Sequence, residues 1–191
     1  MIDVTPVTGG AMGVISQVRT YLTVLPQARR NRADLLGWLM RRPQLLAANA
    51  TYEVALVASG QAPARLKVLA ELKAGTLITC AYCIDIGSAL AQHEGITDVQ
   101  LRDLPNYQTS ANFTPAEKLV LELAEAMTRI PTQISDDLRR RLLAQFSRAQ
   151  LAELTTTIAW ENYRGRLNQA LGVRPSGFAD GMACALPEAP S

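Results

Sequence analysis

Two of the three cysteines in this chain stand three residues apart, in Cys80-Ala81-Tyr82-Cys83. On a helix, positions i and i+3 share a face. The pair can therefore close a disulfide, or offer one thiolate beside a resolving thiol. If Cys80 opens a helix, both sulfurs lie in its first turn, where free N–H groups and the positive dipole end favour a thiolate. Two duller readings compete with this one: inert buried cysteines at helical spacing, and half of a metal site. A metal needs two more ligands. The single histidine, His93, lies about 15 Å further along the same expected helix. It reads better as a solvated residue near a helix end.

Carboxylates and hydroxyls that could serve the thiols lie on both sides of the pair. Glu71 sits among Leu69, Leu72 and Leu77, so it is either on a solvated face or held in a polar pocket. The run Trp160-Glu161-Asn162-Tyr163-Arg164-Gly165-Arg166-Leu167-Asn168 is polar for a helix with an apolar start. Glu161, Arg164 and Asn168 fall at steps of three and four, on one face. They form either a surface pair with a neighbour, or a buried polar cluster beside the thiols. Tyr82 and Tyr163 offer hydroxyl donors. Asp85 faces elsewhere and reads as a surface or capping residue. Arg29, Arg30 and Arg32 read as a solvated turn. Cys184 reads as a free thiol in a mobile tail, or as a third sulfur brought back to the site.

The elements that must position these residues are helices. Apolar residues recur at steps of three and four, and starts and stops are marked by Pro, Gly, Ser and Thr. Helices are expected at 13–24, 33–41, 44–58, 64–79, 80–93 and 98–104. Thr114-Pro115-Ala116-Glu117 is a capping box with Pro at the first helical position, opening a helix to about 129. Ser135 opens another to 146, and Ser147 the last, to 171. No segment alternates as a strand, so the class is all-α. The expectation is one helical domain over residues 1–191, with irregular tails at about 1–11 and 175–191. The stretch 104–112 is the best candidate for a hinge.

Composition excludes several functions. A chain of 191 residues, 48% hydrophobic and 19% charged, can bury a sizeable core. A net charge of +2 builds no field for nucleic acid or a membrane surface. No apolar run reaches the ~18–20 residues of a bilayer span. The first thirteen residues carry no Lys or Arg, unlike a signal peptide. The expectation is a cytoplasmic protein, and there a CxxC pair points to redox chemistry more than to a structural staple.

At this point the sequence resembles the carboxymuconolactone decarboxylase family, including its alkylhydroperoxidase D-like members. The resemblance rests on Leu66-Lys67, Ala70-Glu71-Leu72-Lys73-Ala74, the stretch from Cys80 to Ala89, Phe113 to Val120, and Ala159 to Asn168. It covers about residues 40–175. It implies an alkylhydroperoxidase D-like helical domain, assembled as a homo-oligomer. It also implies a thiol-dependent peroxidase or disulfide oxidoreductase without metal or organic cofactor, acting on a small molecule and re-reduced by a thiol protein or small dithiol. Carried over, Cys83 attacks and Cys80 resolves. The family's proton relay, a Glu and a His, falls here on Val68 and Gly87, so this chain is a variant without it. Glu71 and Glu161 are the candidate substitutes, and Tyr82, Tyr163 and Arg164 the candidate substrate-lining residues. Two alternatives stand beside this reading. One is a redox-inactive or sensory member that binds a small metabolite; the other is an enzyme processing a lactone or related acid in the same pocket.

Overall fold

The computed structural model describes residues 11–32 and 34–188. Among these residues there are helices and no strands, the all-α class expected. They run α1 (Ala11–Val24), α2 (Asp34–Leu39), α3 (Pro43–Ala58), α4 (Ala64–Ile78), α5 (Ala81–His93), α6 (Asp98–Asp103), α7 (Pro115–Thr128), α8 (Asp136–Gln145) and α9 (Arg148–Ala170). Each helix from α6 to α9 opens where the sequence marks it. Thr97, Thr114, Ser135 and Ser147 each accept a backbone N–H three residues on, and three of them complete a capping box. The expected loose tail at 1–11 falls almost wholly outside the described residues.

The centre is α4, which packs against α5, α7 and α9. Every residue from Leu66 to Thr76 is buried. A helix buried all round must be apolar or must bring partners to its charges, and α4 does the second. Lys67 donates to Glu153 Oε1 at 2.7 Å and to the carbonyls of Leu56 and Ser59. Lys73 lies 2.8 Å from both oxygens of Glu188 and over the Tyr107 ring. Glu71 is met by Arg164. Apolar clusters flank the helix, one built around Leu69, Leu72, Leu101 and Leu121, the other around Leu66, Leu123, Leu154 and Ile158.

Two expectations are corrected here. Asp85 is buried, with its carboxylate inside a nest of backbone donors: the N–H groups of Ser176, Gly177, Phe178 and Ala179, at 2.7–3.2 Å. A surface role fails because the C-terminal segment comes back over α5 and supplies the partners. The described part of that segment has no regular structure, yet it is anchored at several points. Ala185 N donates to Ser88 Oγ, and Glu188 N to Thr76 O. Cys184 within it is an exposed free thiol. The stretch read as a hinge is also tied down: Tyr107 is buried, with its hydroxyl donating to Glu125, and Asn112 O accepts from Gln100.

Candidate functional site

The CxxC pair is placed by a tight turn between α4 and α5. Thr79 ends α4 in the left-handed region (φ 60°), and Gln169 of α9 donates to Ile78 O and Thr79 Oγ1. Cys80 is then the N-cap of α5: its Sγ accepts the Cys83 N–H at 3.2 Å. The two sulfurs therefore sit at the N-terminal end of α5, where the helix dipole favours negative charge on sulfur. They form a disulfide with Cα atoms 5.2 Å apart.

The two cysteines are not equivalent. Cys83 is 7% exposed and lines a cavity of about 540 Å³. Cys80 is 1% exposed and is not among the cavity's lining residues. The cavity runs between α1, α3, α4, α5 and α9. Most of its wall is apolar, from residues such as Val18, Val54, Leu72 and Leu90.

Its polar floor is one arginine among three carboxylates. Arg164 Nε and Nη2 donate to Glu161 Oε2, Nη1 to both oxygens of Glu53 (3.0 and 3.1 Å), and Nη2 also to Glu71 Oε1 at 3.1 Å. Burial pushes the Glu71 carboxyl up to about 7; Arg164 opposes this, and the neighbouring Glu161 and Glu53 add to it. Burial likewise raises Glu161, against the pull of Arg164. The hydroxyls of Tyr21 and Tyr82 are raised mainly by burial as well, and stay protonated.

Among the described residues, Glu161 Oε1 is buried with no hydrogen-bond partner. It and the Cys83 Cβ both lie about Gly75: a Cβ built on that glycine would stand 3.3 Å from each. Arg164 thus holds one oxygen of Glu161 and leaves the other turned toward the thiol helix. From the same face of α9, Asn168 Nδ2 donates to Cys83 Sγ at 3.7 Å, while its Oδ1 is buried without a partner among the described residues.

The residues expected at the site come together with one exception. Cys83, Glu71, Glu161, Arg164 and Tyr82 all line the cavity, and Cys80 lies behind it. Tyr163 does not. It is 44% exposed, stacked on Trp160, with its hydroxyl facing Asn49. One residue before Arg164, it points about 100° away from it around the helix.

The relay positions explain themselves. Val68 is in the apolar core. Gly87 is in the cavity wall, where a Cβ would meet Leu72 Cδ1 at 3.0 Å. Glu71, one turn on from Val68, is the α4 carboxylate that lines the cavity.

Glu53 is not among the residues the sequence singles out, and Asn168 enters there only as a member of the Glu161–Arg164 face. Glu53 is the single charged residue of α3, a signal the sequence did carry. Asn168 shares the face of Glu161 and Arg164, which sequence spacing also marks. Among the described residues no group of His, Cys, Asp and Glu side chains is disposed to hold a metal ion, and no helix is long and apolar enough to cross a membrane.

Comparison with known proteins agrees with this architecture. Residues 43–126 match the model of the carboxymuconolactone decarboxylase family. The uncharacterized protein YnjA of Escherichia coli (strain K12) is 32% identical over 124 residues, which is 64% of this chain and 65% of YnjA. The chain thus spans just under two thirds of that relative's length. The uncharacterized protein YdfG of Bacillus subtilis (strain 168) is 29% identical over 107 residues, 56% of this chain and 73% of YdfG. Among solved structures, a protein of unknown function from Agrobacterium tumefaciens, proposed to be the antioxidant defence protein AhpD, superposes with a TM-score of 0.68. It is 24% identical and covers 72% of this chain and 94% of its own. The debrominase Bmp8 in its apo form superposes at 0.71, with 19% identity, covering 93% of this chain and 94% of its own. At these identities the structures share the fold.

Proposed function

We propose that this chain, whose residues 43–126 match the carboxymuconolactone decarboxylase family model, is a thiol-dependent peroxidase for organic hydroperoxides. One observation carries the reading: the CxxC pair divides into a cavity-facing Cys83 and a shielded Cys80. The cysteine that meets the substrate is the one that attacks.

The chemistry balances with the residues at hand. Glu161 Oε1 takes the proton of the Cys83 thiol. The thiolate attacks the distal peroxide oxygen, the O–O bond breaks, and Cys83 becomes a sulfenic acid. The leaving alkoxide takes a proton from Glu71, whose carboxyl near 7 is suited to donating at neutral pH. The Cys80 thiol then attacks the Cys83 sulfur, a disulfide forms, and water leaves with the sulfenic oxygen. An external dithiol reduces the disulfide and is itself oxidised. Asn168 Nδ2, against Cys83 Sγ, steadies negative charge on that sulfur. The placement of Cys80 at the N-cap of α5 lets the disulfide close within one turn.

The test is mass spectrometry of the reduced protein after one equivalent of cumene hydroperoxide. The wild type is expected to form the Cys80–Cys83 disulfide within seconds. Cys80→Ser should accumulate a sulfenic acid on Cys83 that a dimedone probe captures. Both thiols standing intact for many minutes at pH 7 would refute the peroxidase.

A further inference from the structure

Arg164 looks like an anchor for a substrate carboxylate: a half-buried guanidinium at the floor of an apolar cavity. Its hydrogen bonds say otherwise. All three of its nitrogens already donate to carboxylates, Nε and Nη2 to Glu161, Nη2 to Glu71 and Nη1 to Glu53, and the Tyr21 hydroxyl meets it as well, so a ligand carboxylate would compete with groups already in place. Arg164 is also the only basic residue among the described residues that line the cavity. The next cation to act on Glu71 is Lys67, and its three donors are taken by Leu56 O, Ser59 O and Glu153. The floor therefore holds three carboxyl groups against one cation, with an excess of negative charge whenever Glu71 is ionised.

We infer that this cavity selects its substrate by charge: it takes neutral, largely apolar organic molecules and rejects carboxylates. The inference rests on the reading that Cys83 works from this cavity, and deepens it by naming the substrate class. An acid that entered would have to strip Glu53 or Glu71 from Arg164, or sit unpaired among carboxylates where burial makes an unpaired anion costly. A hydroperoxide with a hydrocarbon body meets neither obstacle. Its body lies against side chains such as Val18, Val54 and Leu90, and its O–H end can donate to the acceptors that Glu161 Oε1 and Asn168 Oδ1 leave open. The same argument sets aside the processing of a lactone acid in this pocket, because such a substrate carries the charge the floor repels.

Binding can be measured without turnover, on the oxidised protein, with a matched pair of probes. Cumyl alcohol is neutral; 2-methyl-2-phenylpropanoate has the same body with a carboxylate in place of the hydroxyl. Isothermal titration at pH 8 and low salt is expected to show the alcohol binding at least about tenfold tighter than the carboxylate. Glu53→Gln removes one charge and keeps an acceptor for Arg164, so it should narrow the gap. Equal or tighter binding of the carboxylate to the wild type would overturn the inference, as would failure of both probes to bind. Neither result depends on peroxide chemistry. A cavity that binds the alcohol in a protein whose thiols ignore hydroperoxide would leave this inference standing and remove only the peroxidase.

Discussion

Glu71 couples the site to pH. Its carboxyl is raised to about 7 in the folded chain, chiefly by burial, while in the unfolded chain it titrates near the ordinary value of about 4.3. A raised carboxyl favours the protonated form on folding. Its contribution is therefore fully present below about pH 4.3 and is lost as pH rises toward 7. Glu161 is raised in the same direction. Urea unfolding of the wild type is expected to show stability falling between pH 5 and pH 8, by an amount on the order of 3 kcal/mol for Glu71 alone. Glu71→Gln keeps an acceptor for Arg164 Nη2 and removes the titration, so its profile should be flatter across that range. An unchanged slope in the variant would mean that another group carries the dependence.

At the scale of the elements, the site is made by the close approach of α4, α5 and α9, and Gly75 marks where they meet. Glycine inside a helix normally costs about 1 kcal/mol relative to alanine, so a glycine in the last turn of α4 has a local cost to offset. The structure supplies the reason: a Cβ at 75 would crowd Cys83 Cβ and Glu161 Oε1, each at 3.3 Å. Gly75→Ala is expected to destabilise the chain by about 1–3 kcal/mol despite its better helix propensity, and to slow disulfide formation by displacing Cys83 from Glu161. Urea unfolding, with the rate of disulfide formation under one equivalent of hydroperoxide, checks both. A stabilised variant with wild-type rates would show that the three helices have room to separate.

Over the whole molecule, the segment from 173 to 188 ties distant parts of the chain to the thiol helix. Asp85 collects four of its backbone N–H groups, Arg30 pairs with Asp180, Asn31 donates to Pro175 O, and Lys73 holds Glu188. Phe178 meets the Tyr82 ring edge-on, 6.0 Å between centroids, so the strap reaches the cavity wall. Asp85→Ala leaves four buried donors without their acceptor. Its expected cost is about 3 kcal/mol or more, with new protease cleavage between 173 and 188 while the helical core stays intact. Survival of the strap under limited proteolysis would assign its anchoring to the Lys73–Glu188 pair and the contacts around it.

Much of this was legible in the residues alone, for a local reason. Helix periodicity, Pro and Gly stops and the Thr114, Ser135 and Ser147 caps act within four residues of one another, so the helices could be bounded to within a residue or two. Cys80 and Cys83 announced themselves by spacing, and Glu161, Arg164 and Asn168 by sharing a face. What lay beyond reach was every property set by a partner far along the chain. Nothing near Glu71 in sequence says that Arg164 will meet it, or that burial will raise its proton affinity. Nothing near Asp85 says that a segment some ninety residues later will enclose it. Tyr163 and Arg164 are neighbours in sequence, yet one stands in solvent and the other at the floor of the cavity, because a helix turns about 100° per residue and only packing decides which side is inside. The sequence by itself determined the helices and the chemical groups available to them; tertiary structure alone decided which cysteine faces the cavity and which charges are paired within it, since burial and pairing are properties of distant segments brought together.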